Sequence, residues 1–481
     1  MNKYLRRLGY AFVIVYSLIW ATLTCFRADN SAFEQAETWS IWLSHEPIDS
    51  LIRYTANGVH PPLYYLLFKG AYTLFGDETF IYRMVSVVSY LLLLVLINSY
   101  VMLKWGSGNA FLMVTLLSLM PNCVTTNIEA SMYEYAMLFV ACTYMLMYYA
   151  IRTHKKRYYS GMAISAILAA YTHYYALLAV ILIYTGMIAY SIVRYHYEQD
   201  FRRTLLKPLI SLGLFIIYCT PWNGFVIKML ISKNKSEWIQ SVPSVGKALI
   251  YPYDAELFTT IILSAVTLSL ITAVSLAFFN VVKEPFYLRV RISKEFIWWL
   301  YIGIATAILT IIIGSVFSII FKPLFTIRCM YPCIAIIWLI LIACISKIKN
   351  RGAIGLLLGV LVLIVQTRPY ISTIKVERLN NTRITNTFDR LGKNGALTDS
   401  LVVYNGNELT IKSLDCYFPK SKSILIGDYD NSMEIEDGLI IISEDKLGLN
   451  DLYDLIPEKM NLIDNFQGMV CTNDEYIYIA K

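Results

Sequence analysis

Eleven apolar runs of about the length that crosses a bilayer recur between residues 9 and 368, and this recurrence limits the chain's fold more than any other feature. The runs cover about 9–26, 80–103, 108–124, 132–151, 158–172, 174–193, 208–224, 258–280, 296–320, 329–346 and 352–368. With 57% hydrophobic and 16% charged residues over 481 positions, the composition excludes an ordinary soluble globule. We therefore expect a mainly α, polytopic membrane protein with about eleven transmembrane helices. The opening MNKYLRRLGYAFVIVYSLIWATLTCF has a basic start but no small-residue cleavage site, so it reads as an uncleaved first span.

The net charge of +7 does not point to nucleic acid, because the Lys and Arg residues sit in short clusters between apolar runs. With the N terminus in the cytoplasm, the clusters at Lys3–Arg7, Lys104, Arg152–Arg157, Arg194–Lys207, 281–294 and 346–351 all fall on the inner side. The segment 61–75 is short and carries Lys69, and counting it as a span would invert every later segment, so we expect an interfacial helix there. After about residue 368 the composition turns polar. Short β-rich runs LVVYN (401–405), ILIGD (424–428), GLIIIS (438–443) and YIYIA (476–480) alternate with helical patterns at 383–391 and 449–455. These divide the chain into a membrane domain over 1–368, with a first outer loop at 28–79, and a small extracytoplasmic α/β domain over 369–481. Cys416 and Cys471 both lie in that tail, where an oxidising compartment would permit a disulfide; two unpaired thiols fit equally well.

Candidate chemistry concentrates on the outer loops. The first one holds Asp29, Glu34, Glu37, Glu46 and Asp49. Glu46, Asp49 and Arg53 read as the wet side of an amphipathic interfacial helix. Glu34 and Glu37 are three apart in a good helix former and share a face; two neighbouring carboxylates repel, which suits one of them to accept a proton, although solvated glutamates have the same spacing. Glu129 lies within about a turn of a span's start, beside Tyr133 and Glu134, where an ionisable group is costly and usually faces a cavity. His173 sits among tyrosines at an outer hairpin. Arg328, with Lys322 nearby, is placed to clamp an anionic phosphate or simply to reach lipid headgroups. In His60-Pro61-Pro62 the prolines stop one helix and start the next, and Tyr64 and Tyr65 then offer an aromatic surface suited to a lipid chain. No GxGxxG, P-loop, HExxH or GxSxG context occurs, and no Cys/His spacing marks a metal site, although paired acids could hold a divalent ion.

The stretches EQAETWSIWLS (34–44), GVHPPLYYLLFKGAYTLFGDETFIYRMVSV (58–87), IEASMY (128–133), YTHYY (171–175) and FTIRCMYP (325–332) together resemble multi-spanning glycosyltransferases of the GT-C fold. The likeness is to the glycosyltransferase family 39 type, relatives of protein O-mannosyltransferases and of the lipid A aminoarabinose transferase. It implies inverting transfer of a sugar from a polyprenyl-phosphate donor to an acceptor, be it glycan, lipid or protein, at the outer face of the cytoplasmic membrane. It also implies a general base in the first loop. Where the family carries Asp-Glu, this chain carries Glu34-Gln35, so Glu34, Glu37 and Asp29 are all candidates, with Glu129 as a second acid. Donor phosphate and lipid would be met by Arg328, Lys322, His60, His173, Tyr64, Tyr65 and Tyr133. A lipid or solute transporter and a non-catalytic assembly protein are the alternatives. The absence of a clear repeat and the gathering of candidate residues at one face weigh against transport.

Overall fold

The structure is a computed structural model that describes residues 3–29, 31, 33, 35–58, 60–76, 78–195, 201–231, 243–255, 257–279, 292–320, 325–393, 400–406, 414, 418, 421–430, 433, 435, 438–470 and 473–481. Glu34, Lys322, Cys416 and Cys471 lie outside the described residues.

Helices dominate, as the apolar runs require. They are α1 (Lys3–Asp29), α2 (Gln35–His45), α3 (Ile48–Asn57), α4 (Leu63–Phe75), α5 (Thr79–Trp105), α6 (Ser107–Leu119), α7 (Pro121–Thr126), α8 (Tyr133–Thr153), α9 (Lys156–Thr172), α10 (Tyr174–Tyr195), α11 (Phe201–Ile231), α12 (Val245–Ile250), α13 (Leu257–Phe278), α14 (Lys294–Ile320), α15 (Tyr331–Ile345) and α16 (Arg351–Lys393). Every expected span falls on helix, though 108–124 is divided at Met120 between α6 and α7. Among the described residues nine are long and apolar enough to cross a membrane; α6, with 13 residues, and α9, with 17, are shorter.

Position in the bundle follows from the apolar pattern. α15 is apolar on all sides and is enclosed by other helices, whereas α13 shows Leu257, Ile261 and Leu268 to the outside, as a lipid-facing helix should. α6 is also buried on every side, and it lies against α16 across small residues. A Cβ on Gly355 would come 2.9 Å from the Asn109 backbone nitrogen, so the helices approach more closely than a side chain allows.

Between α1 and α5 the first loop folds into three short helices over their own apolar cluster, which includes Phe33, Ile41, Leu51, Tyr64, Tyr65, Phe68 and Tyr82. Asp49 and Arg53 pair on the exposed side of α3, as the amphipathic pattern predicts. The Lys69 ammonium donates to the carbonyls of Ser44 and Glu46, at 3.1 and 2.7 Å, which satisfies the C-terminal end of α2. That role explains a lysine in the otherwise apolar α4.

The tail holds a five-stranded sheet of β1 (Leu401–Asn405), β2 (Lys422–Leu425), β3 (Leu439–Ser443), β4 (Leu462–Val470) and β5 (Asn473–Ala480), with α17 (Leu449–Leu455). The strand order is β2-β1-β3-β5-β4; β1 runs parallel to β2 and β3, and β5 antiparallel to β3 and β4. β1, β3 and β5 match β-rich runs; the run at 424–428 overlaps β2 only at Ile424 and Leu425 and continues as a 3-10 turn, and β4 has a mixed sequence that gave no such signal. The helical pattern at 383–391 belongs to α16, which runs unbroken through the composition change at 368. Its last turns dock on the sheet: Arg390 grips Asp464 with two bonds of 2.8 and 2.7 Å, and Thr387 accepts the Met469 N–H at 2.9 Å.

Candidate active site

Helices α5, α8 and α15 begin, and α14 ends, at one end of the bundle, and the loops there bring the candidate residues together. One element is a buried ion pair. Arg83, in the first turns of α5, donates to Glu37 Oε2 on α2 at 3.1 Å, and both side chains are 2% exposed. The other oxygen, Glu37 Oε1, accepts the backbone N–H of Ala130 at 2.8 Å. The guanidinium also lies 4.9 Å from the centre of the Phe33 ring. Glu37 therefore has a counter-charge from a different helix, and its neighbour in the sequence pattern, Glu34, is not needed to explain it.

The loop that Glu37 holds is the one carrying Glu129. Ser86 Oγ fastens the same loop by donating to the Ser131 carbonyl at 3.0 Å, and Tyr64 reaches Ser86 at 3.1 Å. Held in this way, Glu129 Oε1 accepts from Arg328 at 3.0 Å; the carboxylate is 6% exposed and the arginine 44%. Arg328 stands in a 3-10 turn, Ile327–Met330, which Thr326 caps directly before α15. Sequence separation between the partners is 199 residues, so only the fold could pair them. One turn further in, the Tyr331 hydroxyl donates to the buried Glu134.

Beside this pair runs a ladder of rings. His60 and His173 stack with centroids 5.5 Å apart, His173 meets Tyr133 at 5.5 Å, and Tyr133 meets Tyr331 at 5.9 Å. His173 Nδ1 accepts the Tyr175 N–H at 3.2 Å, so in the neutral ring the proton sits on Nε2. Burial lowers the His60 pKa to about 4, and burial and the neighbouring His60 hold His173 well below the usual histidine range. Both shifts favour the uncharged imidazole. Nδ1 of His60 is buried with no hydrogen-bond partner among the described residues.

One sequence expectation takes a different position. Tyr64 and Tyr65 are 0% and 6% exposed and pack into the cluster under the first loop, so they offer no lipid-facing surface; with Phe68, one turn on from Tyr64, they form the buried side of α4 in the cluster that also holds Leu51. Asp29 ends α1 and is exposed. Arg83 was not among the expected residues, although an arginine inside an apolar span is itself the signal that could have found it. Among the described residues no group of three or more His, Cys, Asp or Glu is gathered to hold a metal ion.

Residues 59–223 match the family described as dolichyl-phosphate-mannose-protein mannosyltransferase. Two crystal structures of ArnT from Cupriavidus metallidurans superpose on nearly the whole chain. The apo form aligns with a TM-score of 0.59 at 12% identity, over 98% of this chain and 97% of that one. The fold is that of a GT-C glycosyltransferase. The form bound to undecaprenyl phosphate aligns with a TM-score of 0.57 at 13% identity and the same coverage. No curated protein matches the chain in sequence. The family match begins at the His60-Pro61-Pro62 turn and takes in Arg83, Glu129, Tyr133 and His173, so much of the described site lies within it.

Proposed function

We propose that the protein is an inverting membrane glycosyltransferase that moves a sugar from a polyprenyl-phosphate carrier to an acceptor at the outer face of the cytoplasmic membrane. The observation that carries this is the Glu129–Arg328 pair, a half-exposed cation fixed by a buried carboxylate at the mouth of an apolar bundle with a glycosyltransferase fold. The undecaprenyl phosphate in the similar ArnT structure supports a lipid carrier here as well. The basic clusters at the other helix ends favour a cytoplasmic N terminus and put the tail domain outside.

In this reaction the acceptor hydroxyl attacks the anomeric carbon on the face opposite the phosphate. The carbon–oxygen bond to the phosphate breaks, the carrier leaves as a lipid phosphate, and a carboxylate takes the hydroxyl proton. Arg328 is placed to stabilise the charge that grows on the leaving phosphate. His173, with its proton on Nε2, can donate to an oxygen of the same group. Glu37 acts as a positioning residue, since Arg83 and Ala130 occupy its two oxygens. That leaves Glu34 or Asp29 as the base, with Glu129 holding Arg328.

The test is transfer from a polyprenyl-phosphate-linked sugar in membranes carrying single substitutions. Arg328→Ala should lower the rate by about 100- to 1,000-fold. The base should be revealed by a loss of about 100- to 10,000-fold in Glu34→Gln or Asp29→Asn. Full activity in both of these and in Glu37→Gln would remove the first loop from the chemistry.

A further inference from the structure

A cavity lies at the other end of the same helices. Its volume is about 200 Å³, and its lining includes Lys104, Arg152, Lys347 and Arg351 together with Tyr148 and Trp299. These residues come from the last turns of α5 and α8, the segment after α15 and the start of α16. α8 spans 21 residues from the Glu129–Arg328 site to this cavity, which at 1.5 Å per residue is about 31 Å, close to the thickness of a hydrocarbon core.

A basic bias at one membrane face is expected of any such protein. Scattered surface lysines would satisfy it. Here four cations from four segments line one concavity with aromatic walls. The Lys347 ammonium lies 4.2 Å over the Phe296 ring, and that of Lys104 lies 5.8 Å over Tyr149. Burial, then the nearby Arg152 and Arg351, lower the Lys347 pKa, while Cys344 works the other way. Glu295, at the start of α14, is the acid whose charge is felt at Tyr148 in the cavity wall. Crowded cations of this kind repel, and an anion among them offsets the repulsion. Next to the cations the surface is apolar: Leu103 and Leu357 are 66% and 68% exposed.

We propose that this cavity binds a phosphate group, and the neighbouring apolar surface points to a phosphate carried on a lipid. The site is separate from the one assigned above and does not depend on the transferase reading.

The full-length protein in detergent would be titrated with phosphatidylglycerol, phosphatidylcholine or inorganic phosphate, and retained ligand counted by native mass spectrometry. The wild type should hold one phosphatidylglycerol at least about tenfold more tightly than phosphatidylcholine, and Arg152→Gln/Lys347→Gln should lose about tenfold or more in that retention. Lys155→Gln/Lys156→Gln, which removes two exposed cations from the same end of α8, should keep it. Melting curves check folding, and if the double variant fails to fold, Lys104→Gln on α5 replaces it. Displacement of the lipid by millimolar inorganic phosphate would retain the site but assign it to soluble phosphate. Equal retention of both lipids, or equal loss in the control variant, would overturn the proposal.

Discussion

Replacing Arg83 tests whether the buried pair organises the site. Arg83→Leu leaves the Glu37 carboxylate, 2% exposed, without its guanidinium partner, and an uncompensated buried charge costs about 3–5 kcal/mol. Glu37→Gln should also destabilise, because it takes the carboxylate charge away from the buried guanidinium. The double variant Arg83→Leu/Glu37→Gln removes both charges of the pair, and the glutamine carbonyl can still accept the Ala130 N–H that Glu37 Oε1 accepts at 2.8 Å. Its remaining cost is a neutral hydrogen bond in place of a charge-assisted one, about 1–2 kcal/mol. The double variant should thus be more stable than either single, with a coupling of at least about 2 kcal/mol. Reversible unfolding of purified protein in mixed detergent–SDS micelles gives the three differences. A double variant less stable than Arg83→Leu would refute the view that charge compensation between α2 and α5 holds this loop.

Two further expectations concern the frame around the site. Gly355→Ala forces α16 away from the backbone of α6 at Asn109 and should cost about 1–3 kcal/mol in the same assay, whereas Gly213→Ala on α11, where a Cβ meets nothing within 4 Å, should not destabilise the chain. In the tail, burial, with help from the charges on Glu444 and Asp474 and against the Tyr404 hydrogen bond, raises the Glu475 pKa to about 8. The folded form then binds more protons than the unfolded one between the ordinary carboxyl pKa and about 8, so stability is greatest at the acid end of that window and falls as the pH rises through it. Hydrogen exchange of β3 and β5 amides in the full chain, corrected for intrinsic rates, should show falling protection from pH 5 to 8, and Glu475→Gln should flatten the trend; rising protection would reverse the assignment.

Much of the architecture was legible because membranes impose long apolar runs, and the runs became helical, 108–124 as two helices. The amphipathic pattern of α3 and the strands β1, β3 and β5 could be read in the same way, since each depends on local periodicity. Pairings across the fold could not be read. Glu37 has an obvious neighbour in Glu34 but meets Arg83, 46 residues away, and Glu129 and Arg328 are 199 apart. Tyr64 and Tyr65 suggested a lipid surface because sequence alone does not say which side of an aromatic helix faces inward. The continuity of α16 was hidden for a related reason: its composition turns from apolar to polar at about residue 368 although the helix does not break there.

That unbroken helix gives the tail a mechanical connection to the membrane domain. At 43 residues it is a rod of about 65 Å, set at one end into the α6 seam and at the other into the sheet. Part-way along, Glu377 grips Arg27 with bonds of 3.1 and 2.6 Å, and the same arginine donates to the Val124 carbonyl at 2.7 Å and to Asn127 at 3.4 Å, beside the loop of Glu129. A load applied to the sheet would therefore reach the site loop through one strut and one rivet. Pro369, which cannot donate its backbone bond within the helix, is the point at which such an arm would flex.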